Sequence, residues 1–123
     1  MKIEVSNGEI IDKLTILQIK CERIRDENKL RNIRKEFTEL KEISSAIMSQ
    51  DDPLYKALYV INSELWDIED RIRELERTKD FGDEFIDTAR SVYFKNDRRA
   101  EIKKEINIKT SSDLTEEKSY EKY

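Results

Sequence analysis

The sequence predicts an all-α fold: an antiparallel four-helix bundle of up-down-up-down order that ends in a short C-terminal tail. Charged residues make up 42% of the 123 residues and hydrophobic residues 37%, with two glycines and one proline. Such a composition suits helices that each bury a single stripe. Apolar residues recur at helical spacing in four segments, and the few residues between segments make neighbouring helices antiparallel.

The most regular stripe lies between residues 54 and 75. Its aliphatic residues alternate at steps of four and three, so they share one helical face: Leu54, Leu58, Ile61, Leu65, Ile68, Ile72 and Leu75. Asp52 and Pro53 stand where an N-cap carboxylate and a first-turn proline belong. We therefore expect this third helix to be the central element, and its heptad-like stripe also fits a coiled-coil dimer.

Shorter stripes predict the other helices. Ser6-Asn7-Gly8-Glu9 is a capping box that starts a first helix running to about Arg25. A second helix follows Asp26, and a fourth starts near Asp83. The sequence thus predicts a helical domain at 1–109 and a polar tail at 110–123.

Composition also limits the chemistry. A net charge of −4 argues against a general nucleic-acid binder. The single cysteine, Cys21, excludes an internal disulfide and a cysteine zinc cluster, and there is no histidine. No apolar run approaches the length of a membrane span. We expect a cytoplasmic protein with no metal, no cofactor and no membrane partner.

A candidate site comes from polar residues that interrupt apolar stripes of three helices. In an antiparallel bundle, counting from the loops puts Lys13, Asn62 and Asn96 at similar heights. A cavity lined by lysine and arginine suits a small anionic ligand, because guanidinium groups bind carboxylate or phosphate in fixed geometry. The candidate residues are Lys13, Lys20, Asn62, Glu69, Arg73, Asn96, Arg99 and Lys103.

The same residues also fit a solvated surface. Glu69 and Arg73 are four positions apart, as in an ordinary surface pair. Lys13 and Lys20 can extend along the edge of the bundle, and a buried Asn96 can simply set helix register. The sequence leaves both interpretations open.

Four segments resemble a family of short bacterial and phage proteins catalogued as a domain of unknown function. They are S-N-G-E-I-I-D-K-L-T-I-L-Q-I-K (6–20), L-W-D-I-E-D (65–70), V-Y-F-K-N-D-R-R-A (92–100) and E-E-K-S-Y (116–120). The resemblance brings no activity, but it implies a setting among surface-polysaccharide and glycosyltransferase genes. It also draws the tail residues Glu117, Lys118, Ser119 and Tyr120 into the candidate functional set. A weaker similarity links the first helix to helical chorismate mutases.

Two functional hypotheses follow. The first is a non-catalytic binding or adaptor protein that acts on a protein partner or a second copy through an exposed face or the tail. The alternative is a small helical enzyme or ligand sensor with a Lys/Arg-lined anion pocket, chorismate-mutase-like at best. Whether the candidate side chains converge in a concave pocket separates the two.

Overall fold

A computed structural model of the chain describes residues 1–112. It contains four α-helices: α1 (Asn7–Arg23), α2 (Glu27–Ser44), α3 (Pro53–Arg77) and α4 (Asp83–Lys109). No strand occurs in this part of the chain, so the all-α, four-helix prediction is confirmed. None of these helices is both long and apolar enough to span a membrane.

Capping residues marked in the sequence begin three of the four helices. The Ser6 hydroxyl accepts a hydrogen bond from the Glu9 N–H at 3.2 Å. Asp26 accepts from two backbone N–H groups at the start of α2, and Asp52 accepts from the Leu54 N–H at 2.9 Å. These bonds satisfy N–H groups that have no partner within their own helix.

Ion pairs show that α3 and α4 are antiparallel, because residue numbers rise along α3 as they fall along α4. The pairs are Asp52–Lys109, Glu64–Lys95 and Arg71–Glu84. The contacts between α1 and α4, described below, show in the same way that these two helices are antiparallel. The direction of α2 relative to the other helices, and with it the full up-down-up-down order, stays a prediction.

The central helix is α1, and the expectation that the third helix would be central is wrong. The backbone of α1 lies close to those of all three other helices, whereas the backbone of α2 lies close only to that of α1 in the described part of the chain. The buried residues of α1 lie on several sides: Gly8, Ile11, Asp12, Leu14, Thr15, Leu17 and Ile19. A clean apolar stripe such as that of α3 indicates a helix covered on one side, while a helix covered on several sides has weaker periodicity.

The core lies where α1, α3 and α4 meet. Its buried members are Ile11, Leu14, Tyr55, Leu58, Ile61, Ile102 and Ile106. Phe37 and Leu40 of α2 pack against this cluster. Beyond Arg23, the last residue of α1, the second half of α3 and the first half of α4 continue as a two-helix hairpin, residues 65–95, which we call the stem.

Candidate functional site

A buried carboxylate joins α1 to α4. Asp12 is 2% exposed. Arg99 of α4 donates to it twice, from Nε to Oδ1 at 2.9 Å and from Nη2 to Oδ2 at 2.5 Å. Such a bidentate ion pair combines charge with fixed geometry, and it offsets the cost of burying the charged carboxylate.

Polar groups of α1 and α3 complete this arrangement. Asn62 of α3 is 6% exposed and donates from Nδ2 to Asp12 Oδ1 at 2.9 Å and to Thr15 Oγ1 at 2.8 Å. The Thr15 hydroxyl donates to the Asp12 carbonyl at 2.7 Å. Arg99 also reaches Asn96 Oδ1 at 3.5 Å. We call Asp12, Thr15, Asn62, Asn96 and Arg99 the Asp12 cluster; it ties three helices together.

One end of α1 lies very close to the last turns of α4. The Gly8 N–H donates to Asn107 Oδ1 at 2.6 Å. A Cβ placed on Gly8 would lie 2.5 Å from the Lys103 carbonyl oxygen, so only glycine fits this approach without a shift. The capping box therefore has a second role, since its glycine allows α4 to contact α1.

Further bonds hold the same corner. The Asn7 N–H donates to Ser112 Oγ at 3.0 Å, and Asn7 Nδ2 donates to Thr110 Oγ1 at 2.9 Å. Lys103 is paired with Glu9, with Nζ 2.7 Å from Oε2. N–H groups at the start of α1 are thus bonded to side chains of the chain itself rather than left for an anion.

The structure brings together some of the predicted site residues. Asn62, Asn96 and Arg99 meet in the Asp12 cluster. Lys103 lies about one turn further along α4, and its side chain is 12% exposed. These four residues come from stripes of α3 and α4 that face α1.

Other predicted residues lie elsewhere. Lys13 is 3.6 Å from Glu36 of α2, with 61% of its side chain exposed. Consecutive helical residues point about 100° apart, so burial of Asp12 turns Lys13 towards α2. Glu69 and Arg73 pair with each other on the stem surface at 2.7 Å. Lys20 is partly buried on α1, one residue before Cys21. The tail motif at 116–120 lies outside the described residues.

The acid at the centre of the cluster, Asp12, lies within the family-like segment 6–20 but is not among the predicted ligand-binding residues. Asp12 and Thr15 are three positions apart, and each directly follows an apolar residue, Ile11 or Leu14, of a predicted buried face. Polar residues on such a face require partners. That pattern was the available signal, and the partner of Arg99 proves to be a carboxylate of the chain itself.

Two open grooves lie on either side of Lys56 and Val60, which are exposed on α3. The first, here called the α3–α4 groove, has a volume of about 550 Å³. Its lining consists of Asp51, Pro53, Lys56, Ala57, Val60, Ile61, Arg98 and Ile102. The second, here called the tyrosine groove, has a volume of about 460 Å³ and contains Tyr55 and Tyr59.

The tyrosine hydroxyls are bonded to neighbouring side chains. Tyr55 donates to Gln18 Oε1 at 2.5 Å and accepts from Gln50 Nε2 at 3.1 Å, while Tyr59 is 2.7 Å from Glu22. Burial raises the pKa of Tyr55, and the hydrogen bond to Glu22 raises the pKa of Tyr59. Both phenols therefore stay protonated at neutral pH, which makes them donors rather than bases.

Comparison with known proteins assigns the chain to a family. A family model described as "Family of unknown function (DUF6165)" matches residues 1–123. The chain belongs to this family. This match confirms the resemblance to a domain of unknown function, and it covers the whole DUF6165 chain. No curated protein and no solved structure matches it. Within residues 1–112, no group of three or more histidine, cysteine or acidic side chains is arranged to hold a metal ion.

Proposed function

We propose that this DUF6165 protein is a non-catalytic binding module that takes an amphipathic helix of a partner protein in the α3–α4 groove. The main support is that the floor of the groove is apolar and open to solvent, and that each of its two helices provides a cation, Lys56 or Arg98. Helix-in-groove recognition uses such a surface, because the partner's apolar face fills the floor.

The floor of the groove is apolar along both helices. Ala57, Val60 and Ile61 contribute from α3 and Ile102 contributes from α4. Val60 is 52% exposed, although it lies beside the buried Ile61. Covering this side chain with an apolar partner residue would remove it from water, which favours association.

The charges of the groove indicate the kind of helix it would bind. Lys56 of α3 makes no ion pair with any residue in the range 1–112, and Arg98 of α4 is exposed beside Glu101 at 3.3 Å. Asp51 lies at the loop end of the groove. A partner helix with acidic residues beside its apolar stripe would match the two cations, and such matching improves specificity and association rate.

A non-catalytic role has support from the Asp12 cluster. Arg99 and Asn62 are bonded to Asp12, and Lys103 is paired with Glu9, so the cations are used within the fold. The anion-pocket alternative has less support, because Lys13 faces Glu36 rather than Arg99. In this function, residues 1–109 form the binding domain and residues 110–123 its tail. The proposed location is the cytoplasm, which the lone cysteine favours.

A synthetic helical peptide of about four turns tests the proposal. The peptide carries leucines on one face and glutamates beside them; a second peptide replaces the glutamates with lysines. Fluorescence anisotropy should show that the acidic peptide binds about tenfold more tightly than the basic one, because two cations border the groove. Val60→Asp should abolish binding of the acidic peptide.

Charge reversal provides the decisive comparison. The double variant Lys56→Glu/Arg98→Glu should prefer the basic peptide. Lys35→Glu, an exposed charge change on α2, is the matched control and should leave the preference unchanged. No binding of the acidic peptide, or equal binding of both peptides to the native protein, would refute the proposed function.

A further inference from the structure

One face of α3 changes from covered to exposed along the helix. Asn62, Trp66, Glu69 and Arg73 follow one another at steps of three and four, so they share this face. Asn62 is buried against α1. The Arg23 guanidinium lies 5.7 Å from the centre of the Trp66 ring, and Arg23 is the last residue of α1. Glu69 and Arg73 therefore continue the α1-binding face past the end of α1.

The apolar seam of the stem is only partly covered. Leu75 is 2% exposed, but Leu65 and Ile72 of α3 and Phe85 of α4 are only partly buried, and Ile86 is 49% exposed. In the described part of the chain, the backbone of α2 approaches neither α3 nor α4, and α1 ends at the start of the stem. Two helices alone bury only part of the seam between them, and a further layer of protein would bury the rest.

We propose that the stem joins two copies of this chain through the face that carries Leu65, Glu69, Ile72 and Arg73. The two α3 helices run antiparallel, and a twofold axis crosses them at the level of residue 71. Residues 69 and 73 are equally distant from that level. Glu69 of each copy therefore lies opposite Arg73 of the other, and the contact occurs twice. Leu65 and Ile72 supply the apolar part of the interface.

Self-complementary charge favours a second copy over an unrelated partner. The face carries one acid and one base four positions apart, with 57% and 71% of their side chains exposed. A face of this kind presents opposite charges to an antiparallel copy of itself, as a twofold interface requires. The stem face is separate from the α3–α4 groove, which lies around Val60, outside the stem.

Association of the full chain can be measured directly. Sedimentation equilibrium over a range of concentrations at low ionic strength should give the mass of two chains at the upper end. Glu69→Arg and Arg73→Glu should each weaken association about tenfold, because each substitution places like charges opposite one another at two contacts.

Mixing the two variants tests directly whether residue 69 of one copy contacts residue 73 of the other. In a mixed dimer, the E69R chain presents two bases to two acids of the R73E chain, so the equimolar mixture should associate about as tightly as the native protein. Both variants lack the Glu69–Arg73 pair within α3. Restoration by mixing therefore cannot come from that intrahelical pair.

Glu74→Arg is the matched control. Glu74 pairs with Arg77 within α3 and lies away from the proposed face, so this variant should associate like the native protein. Circular dichroism checks that all three variants keep their helices. The mass of one chain at every concentration would overturn the inference, as would a mixture that associates no more tightly than either variant alone.

Discussion

Arg99 and Asp12 form a bidentate ion pair whose members are unequally buried: 2% of the Asp12 side chain is exposed, compared with 28% of the Arg99 side chain. The arginine can reach water if its partner is lost, whereas the carboxylate cannot. The contribution of this pair to stability should therefore depend on which partner is removed. It also ties the first helix to the last, across 87 positions of the chain.

Arg99→Met should lower the free energy of unfolding by about 3 kcal/mol, because it removes the charged partner of a carboxyl group that is buried away from water. Asp12→Asn should cost less, since it removes the buried charge and leaves Arg99 partly solvated. Urea unfolding of both variants and of the double variant measures the coupling. Equal losses for the single variants, or strictly additive losses, would contradict the unequal roles inferred for the pair.

The position of α1 and the first half of α3 in the core predicts where leucine truncation costs most. Leu14 and Leu58 are 1% and 0% exposed, and replacing either with alanine should cost about 2–5 kcal/mol. Leu65→Ala should cost clearly less, because this side chain lies in the partly covered stem. Chemical denaturation of the three variants at low protein concentration tests the order, and a larger loss for Leu65→Ala would contradict it.

Gly8→Ala should destabilise the protein by about 1–3 kcal/mol, because the new methyl group would meet the backbone oxygen of Lys103 rather than a movable side chain. Gly82→Ala is the control. Its Cβ would lie 3.4 Å from the nearest atom, an ordinary contact, and its φ of −77° suits alanine. Melting temperatures of the two variants should therefore differ, and equal values would contradict the close approach at Gly8.

The free energy of unfolding should depend on pH through the carboxyl group of Asp52. The hydrogen bond with Lys109, with a smaller contribution from the Leu54 N–H, holds the pKa of Asp52 below its ordinary value of about 3.8. Folding therefore favours the ionised form. The resulting stability is fully present above about pH 4 and is lost as the pH falls towards the folded-state pKa.

Asp52→Asn isolates this effect, because asparagine keeps the N-cap while removing the charge. The native protein should be more stable than the variant at neutral pH, and the difference should shrink below about pH 4. Urea unfolding across this range measures it. A difference that stays constant with pH would exclude the carboxylate as its source.

The helices of this protein can be predicted from local sequence patterns. The capping residues Ser6, Asp26 and Asp52 begin three of them, and the apolar stripes predict their extent within a few residues. These features are local, since a cap bonds to N–H groups two or three positions away and a stripe depends on the period of one helix. Local order along the chain is enough to predict them.

The identity of the central helix and the contacts between polar residues depend on how the helices pack. The stripe of α3 is the most regular, yet α1 is covered on more sides. Asp12 and Arg99 are joined although no pattern in the sequence relates positions so far apart, while the neighbouring Lys13 turns to Glu36. The rotation of each helix about its axis depends on the packing of all its neighbours at once, so contacts between distant residues follow from the assembled fold.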